Sequence, residues 1–329
     1  MSTPILVTGA AGFIGFSTSL RLLESGESVV GIDNLNDYYD VTLKEARLEE
    51  LKKFDRFKFV KMDIADNASM ENLWTEEGPF TRVIHLAAQA GVRYSLENPH
   101  AYINSNIIGH LNVIERCRHT ENFEHLVYAS SSSVYGGNKK TPFSVQDRVD
   151  NPVSLYAATK KSDELMSHAY SHLFRIPQTG LRFFTVYGPW GRPDMALFIF
   201  TKAIFENKPL PVFNNGNMKR DFTYIDDIVT GILGVLNNPP NEDNNEAPSR
   251  VLNIGNNNSE DLMDFVKLIE TELGKKAEIN FQPMQAGDVR ETYADITETT
   301  AITGYQPTTN ITEGIPKFIE WYKKYYRLS

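Results

Sequence analysis

The sequence predicts an α/β chain built on a parallel sheet with helices on both faces, and three observations carry that expectation. Short apolar runs alternate with amphipathic helical stretches through the first half of the chain. The first run leads directly into a glycine-rich turn that opens a helix. The second run ends on an acidic residue. Strand, glycine turn, helix, strand and acid, in that order, form the layout of a dinucleotide-binding unit. The fold class is therefore a Rossmann-like doubly wound parallel sheet, followed by a smaller mixed α/β C-terminal lobe that binds substrate.

The elements follow in order. Ile5-Leu-Val7 is a short buried strand. Thr8-Gly9-Ala-Ala-Gly12-Phe13-Ile14-Gly15 is the turn, and a helix runs from it to about Glu24. The glycines permit a tight turn and a close backbone approach to a pyrophosphate seated on the helix N-terminus. Their spacing is G-x-x-G-x-x-G rather than G-x-G-x-x-G. Ser28-Val-Val-Gly-Ile32 is the second strand, and Asp33 follows it, 18 residues past Gly15. Asp33 can accept from the adenosine ribose hydroxyls and would repel a 2′-phosphate. Asn34-Leu-Asn36 offers no Arg against that repulsion, so NAD is expected rather than NADP.

Residues 41–54 read as a charged helix and Phe57–Lys61 as the third strand, with Asp63 and Ile64 placed to contact adenine. Arg82–Ala88 reads as the fourth strand, and Leu86, Ala87 and Ala88 supply small or apolar residues where backbone passes the cofactor. One long helix is expected over 98–119, a fifth strand over 125–129 and a sixth over 178–184. Between the last two lie a polar loop beginning Ser130-Ser131-Ser132-Ser133 and a helix carrying Tyr156. The regular alternation ends after Tyr187-Gly-Pro-Trp-Gly, with a polar surface loop at 239–248 and a strand at 250–255. Residues 1–185 with about 221–256 are expected to bind the dinucleotide, and about 186–220 with 257–329 the substrate.

Composition excludes several classes. The chain has 329 residues, 41% hydrophobic, with a net charge of −9. That balance argues against general nucleic-acid or anionic-membrane binding. Cys117 is the single cysteine, lies in an apolar helical pattern and fits a reducing compartment such as the cytoplasm. No run approaches the ~20 apolar residues of a membrane span, and no signal peptide precedes the first strand. The seven histidines show no metal-ligand spacing.

Tyr156 and Lys160 stand one helical turn apart on a shared face. A tyrosine normally loses its proton near pH ~10, and a neighbouring cation favours the phenolate. The pair suits a general base for an alcohol.

With Gly9-x-x-Gly12-x-x-Gly15, Ser131 and Tyr156-x-x-x-Lys160 in this order, the chain resembles the extended short-chain dehydrogenase/reductase family over essentially its whole length. Ser130–Gly136, Arg220–Asp227 and Gly287-Asp288-Val289 resemble its nucleotide-sugar branch. Asn36–Val41, Ala90–Ser95 and Tyr187–Met195 look most like UDP-glucuronate 4-epimerases. The resemblance implies tightly held NAD, a UDP-sugar substrate and a homodimer formed through the helices near 98–118 and 156–174. It makes Tyr156 the base, Lys160 the ligand of the nicotinamide ribose and Ser131 the third polar member. A hydroxyl that merely caps the loop backbone is the alternative for Ser131. The implied chemistry is a transient 4-keto sugar that turns in the site and is reduced on its other face.

Ser132 and Ser133 bear on the outcome. Dehydratases of this family carry an Asp-Glu pair at these places, and UDP-glucuronate decarboxylases a Glu where Ser133 stands. Neutral hydroxyls can hold the substrate's C6 carboxylate without repelling it, and Thr185 either leaves room for it where galactose epimerases carry Asn or is simply a β-branched residue ending its strand. Arg93 and Arg192 fit either a substrate-side cation or a structural ion pair. Arg220 suits the UDP diphosphate because a guanidinium matches phosphate oxygens in pairs. Arg290 is the second candidate there, Asp288 suits the uridine ribose, and Phe213 fits either the uracil face or the core. The rival readings are a UDP-glucose/UDP-galactose 4-epimerase, a UDP-glucuronate decarboxylase and a non-catalytic NAD-binding protein.

Overall fold

The computed structural model describes residues 3–241, 246–285 and 287–328. Seven strands form one parallel sheet: β1 (Ile5–Thr8), β2 (Val29–Asp33), β3 (Phe57–Lys61), β4 (Arg82–His85), β5 (His125–Ser131), β6 (Gln178–Phe183) and β11 (Ser249–Ile254). Their spatial order is β11-β6-β5-β4-β1-β2-β3. The order reverses between β1 and β4, and a crevice opens there at the strands' C-terminal ends.

Successive strand residues point to opposite faces, and both faces are apolar. Leu6, Val30, Val83 and Leu126 pack into one core with Val113, Ile114 and Cys117. Ile5, Val7, Ile84, Val127 and Leu181 pack into the other. Helices α1 (Phe13–Glu24) and α9 (Ile225–Leu236) pack on each other and share that second core. Helix α9, which follows residues 221–224, thus packs back on the sheet's own core.

Beyond β6, apart from β11, the strands are short. Strand β7 (Thr185–Tyr187) pairs with β10 (Phe222–Tyr224), β8 (Leu210–Val212) with β13 (Ile279–Phe281), and β9 (Lys219–Arg220) with β12 (Glu260–Asp261). Helices α8 (Ala196–Phe205), α10 (Leu262–Leu273) and α12 (Ile311–Tyr326) complete this part. The surface loop expected at 239–248 lies partly outside the described residues.

Two expectations change. The long helix expected over 98–119 runs unbroken from Pro99 to Arg118, but as α5 (Pro99–Tyr102), a π-helical stretch (Ile103–Ile108) and α6 (Gly109–Arg118), and a separate short helix α4 (Tyr94–Glu97) precedes it. Asn98 caps α5 by accepting from Ala101 N–H at 3.4 Å, and Pro99 fits its first turn. The wide π turn buries Asn106, which donates to Gln89 O (3.2 Å) and Thr159 Oγ1 (3.0 Å). The fifth strand also runs further than expected, to Ser131, because Ser130 and Ser131 pair with Arg182 and Phe183 of β6. Among the described residues, no helix is long and apolar enough to cross a membrane.

Candidate active site

A cavity of about 770 Å³ opens along the C-terminal ends of β1, β4 and β5. At one end lies the glycine turn. Gly9 has φ +71°, and a Cβ there would stand 2.8 Å from Ala87 N. A Cβ on Gly15 would stand 2.0 Å from Gly9 O, so helix α1 can close onto the turn only without one. Helix α1 starts at Gly12 with no side-chain cap. Its first-turn amides therefore keep their donor capacity for a ligand. Asp33 accepts from Ala11 N–H (3.2 Å) and Leu35 N–H (2.8 Å), which fixes the carboxylate beside that turn. Asn34 donates to Asp63 (3.0 Å). Gly9, Gly12, Phe13, Ile14, Gly15, Asp33, Asn34, Asp63, Ile64, Leu86, Ala87 and Ala88 all line the cavity. A turn that tolerates no Cβ, open helix amides and a fixed acid at the β2 end are the donor set a dinucleotide requires, so the residues fit one.

The catalytic candidates meet in the middle. Helix α7 (Leu155–Phe174) is capped by Ser154 Oγ, which accepts from Ala157 N–H at 3.1 Å. Tyr156 and Lys160 project from its first turns into the cavity wall. The Lys160 ammonium is buried and donates to Ala129 O (3.0 Å) and Asp163 Oδ2 (3.1 Å). The Tyr156 ring meets Tyr102 edge to face, 6.0 Å between centroids. Ser131 Oγ accepts from Ser133 N–H and donates to Ser133 Oγ, both at 3.1 Å. It therefore caps the short 3₁₀ turn Ser132–Tyr135 while also facing the cavity. Ser132, Ser133 and Thr185 share this wall.

Two acids on α7 went unread in the sequence although they sit three and four places after Lys160. Asp163, 1% exposed, is pushed up to about 6 by burial, against the opposing charge of Lys160. Its second oxygen is buried with no hydrogen-bond partner. Glu164 accepts from Ser130 Oγ (2.7 Å) and from both ends of the Arg182 fork (2.8 Å each). Burial alone would raise Glu164, but its bonds to Arg182 hold it below the usual carboxylate range. Glu164 thus braces the serine segment against helix α7. Beneath them His85 bonds Thr8 Oγ1 at 2.7 Å, and burial with the Lys160 charge lowers its pKa to about 3. That ring is neutral at physiological pH.

The far end is cationic. Arg93 pairs with Asp288 at 3.1 Å and lies 4.7 Å from the centre of the Phe213 ring. Arg220 spends donors on Val289 O (2.7 Å), Lys219 O (2.8 Å) and Arg290 O (3.1 Å). Burial lowers its pKa, against the charge of Asp288. All four of Arg93, Phe213, Arg220 and Asp288 line the cavity. Arg290 stands outside that wall, where its guanidinium donates to Asn217 at 3.3 Å. Arg192 lines the cavity and also makes a two-point pair with Asp194, at 3.0 and 2.5 Å. Asp194 further accepts from Tyr38 Oη at 3.0 Å. Tyr38 and Asp194 were not singled out in the sequence. They lie in the two stretches, Asn36–Val41 and Tyr187–Met195, whose wording was distinctive and whose contact was invisible.

Comparison with known proteins agrees with this arrangement. Residues 6–318 match the family described as GDP-mannose 4,6 dehydratase. Protein CapI of Staphylococcus aureus is 51% identical, with 98% of this chain and 99% of that protein covered. A probable UDP-glucuronate 4-epimerase of Rhizobium meliloti (strain 1021) is 47% identical, covering 98% and 97%. The crystal structure of UDP-glucuronic acid 4-epimerase from Bacillus cereus, in complex with UDP-glucuronic acid and NAD, superposes with a TM-score of 0.89. It shares 36% identity and covers 98% of this chain and all of its own. A glycine turn, a Tyr-x-x-x-Lys helix and a serine segment converging on one cavity, in a chain so matched from end to end, place this protein in the extended short-chain dehydrogenase/reductase family, in its nucleotide-sugar branch.

Proposed function

We propose that the protein is an NAD-dependent isomerase that interconverts UDP-glucuronate and UDP-galacturonate by inverting C4. One observation supports the choice of reaction: Ser132, Ser133 and Thr185, hydroxyls rather than acids, line the same cavity as Ser131 and Tyr156. Dehydratases and decarboxylases of the family carry acids at Ser132 and Ser133 or at Ser133. Without such an acid, no side chain from these positions moves a C5 or C6 proton.

NAD, when bound, supplies reversible oxidation of the sugar at C4. Tyr156 takes the proton of the 4-hydroxyl and later returns it. Lys160, fixed by Ala129 O and Asp163, holds a positive charge one turn from that phenol. Ser131 donates to the oxygen on C4, releasing Ser133 Oγ as it does so. Ser132, Ser133 and Thr185 hold the C6 carboxylate through neutral donors, which leaves the 4-keto acid free to turn. Arg220 and Arg93 receive the diphosphate, Asp288 the uridine ribose, and Phe213 lies against the uracil. Residues 1–185 with about 221–256 form the NAD-binding part, and about 186–220 with 257–329 the sugar-nucleotide part.

We also propose a homodimer and a cytoplasmic location. Leu111 on α6, with Leu165 and Leu173 on α7, leaves apolar surface open on neighbouring helices, and Leu165 and Leu173 are 59% and 65% exposed. A second copy of the same face would cover it. The single thiol, Cys117, is buried and needs no oxidising environment.

Incubation with UDP-glucuronate and, separately, with UDP-glucose tests the reaction. UDP-galacturonate without CO₂ is expected from the first. Turnover of UDP-glucose alone, or release of CO₂, contradicts the reading.

A further inference from the structure

Strand β1 lies between β4 and β2 in the sheet, so the segments leaving β2 and β4 flank the glycine turn that leaves β1. These two flanking segments meet. The chain after β2 turns at Leu35, φ 54°, and brings Tyr38 to the segment that leaves β4. The Tyr38 ring lies 4.8 Å from Tyr94, centre to centre. Gly91, φ +103°, makes room for it: a Cβ there would stand 2.5 Å from Tyr38 Oη. Residues from both segments and from the glycine turn line the same cavity.

The contact is tied down. Lys44 donates to Asn36 O (2.7 Å) and Asn36 Oδ1 (2.9 Å). Tyr38 Oη donates to Asp194, which Arg192 grips from the other side. Underneath, the fully buried Arg47 donates to Ala11 O (2.8 Å), Tyr39 Oη (2.8 Å) and Trp190 O (2.6 Å). The glycine turn, residues 34–40 and residues 190–194 are therefore one hydrogen-bonded unit. A dinucleotide on the glycine turn extends its adenosine towards β2 and its nicotinamide towards β4 and β5. Asn34, Asn36, Tyr38 and Tyr39 of the segment 34–40 line the same cavity as the glycine turn.

We propose that residues 34–40 form a strap over the bound dinucleotide and that the Tyr38–Asp194 hydrogen bond is its clasp. The clasp makes NAD a resident cofactor that leaves only when the strap opens. An isomerase that returns what it removes has no need to exchange its cofactor each turn. The proposal rests on the NAD-dependent isomerase reading.

The test compares the release of NAD from the parent, Tyr38→Phe, Asp194→Asn and the double variant, each loaded with NAD and chased with labelled NAD. Tyr38→Phe keeps the ring and removes only the hydroxyl. Release from it is expected to be about tenfold faster, the scale of one charge-assisted hydrogen bond. The double variant should release NAD no faster than Asp194→Asn, because the two changes remove the same bond. Release from Tyr38→Phe at the parent rate overturns the proposal, as does an additive double variant. A lowered melting temperature of cofactor-free Tyr38→Phe at unchanged release assigns the bond to folding and also overturns it. Turnover of UDP-glucuronate is measured on the same samples. A parent that holds NAD but does not turn over overturns the isomerase reading and leaves the release comparison standing.

Discussion

At the residue scale the proposed catalytic pair, Tyr156 and Lys160, does not stand alone. Lys160 is held from below by Asp163 and Ala129 O, and the serine segment is held by Glu164. The base itself tests simply. Tyr156→Phe removes the acid–base hydroxyl and nothing else, so turnover should fall by about a thousandfold or more. Bound NAD, measured after desalting, should stay at the parent level. Loss of NAD along with turnover would show that the hydroxyl serves the cofactor site. The meeting of Tyr156, Lys160 and Ser131 in one cavity was legible from the Tyr-x-x-x-Lys spacing and its company. The acids were not singled out, because Asp and Glu at these spacings usually lie on a solvated helix face. Only the fold turns that face onto β5 and β6. Arg192 shows the same limit: sequence offered an ion pair or a substrate cation, and only the fold brings Asp194 and Tyr38 to it.

At the element scale the sheet was readable and its attachments were less so. Strands β1 to β6 announce themselves as apolar runs bounded by turn residues, and the glycine spacing places the crevice. Strands β8, β9, β12 and β13 have two or three residues each, too few for any period to show. The π stretch inside the helix expected at 98–119 escaped because a π turn keeps an apolar pattern while shifting its phase. Buried histidines tie elements together as well. His125 on β5 donates through Nδ1 to Leu236 O at the end of α9 (3.1 Å) and accepts through Nε2 from Thr179 Oγ1 (2.9 Å). Burial lowers its pKa to about 4. The unfolded chain therefore takes up a proton near pH ~6.5 that the folded chain refuses until about 4. His125 contributes stability above pH ~6.5 that is lost as the pH falls towards about 4. Asp163 and Asp221, each pushed up to about 6 by burial, act in the opposite direction below pH 6. They are common to parent and variant. In urea unfolding across this range, His125→Gln should show a dependence on pH shallower by up to ~1.4 kcal/mol per unit. An identical slope would mean that His125 is charged in the fold.

At the scale of the whole molecule, the two parts of the cavity divide the labour. The sheet end supplies a fixed dinucleotide site, and the shorter strands supply cations and an aromatic face. The proposed dimer places helix α7 at an interface, so subunit contact would stabilise the site. Leu165→Glu with Leu173→Glu should turn the dimer into a monomer by sedimentation velocity, and an unchanged dimer would put the interface elsewhere. The central claim is that hydrogen is lifted from C4 and returned to the same carbon from the other side, so that the sugar is inverted without net oxidation. The most direct measurement follows UDP-glucuronate deuterated at C4 through the reaction in ordinary water. UDP-galacturonate with the deuterium still on C4 is expected. Product whose C4 deuterium has been replaced by solvent hydrogen, or a label found at C4 of neither sugar, would contradict it.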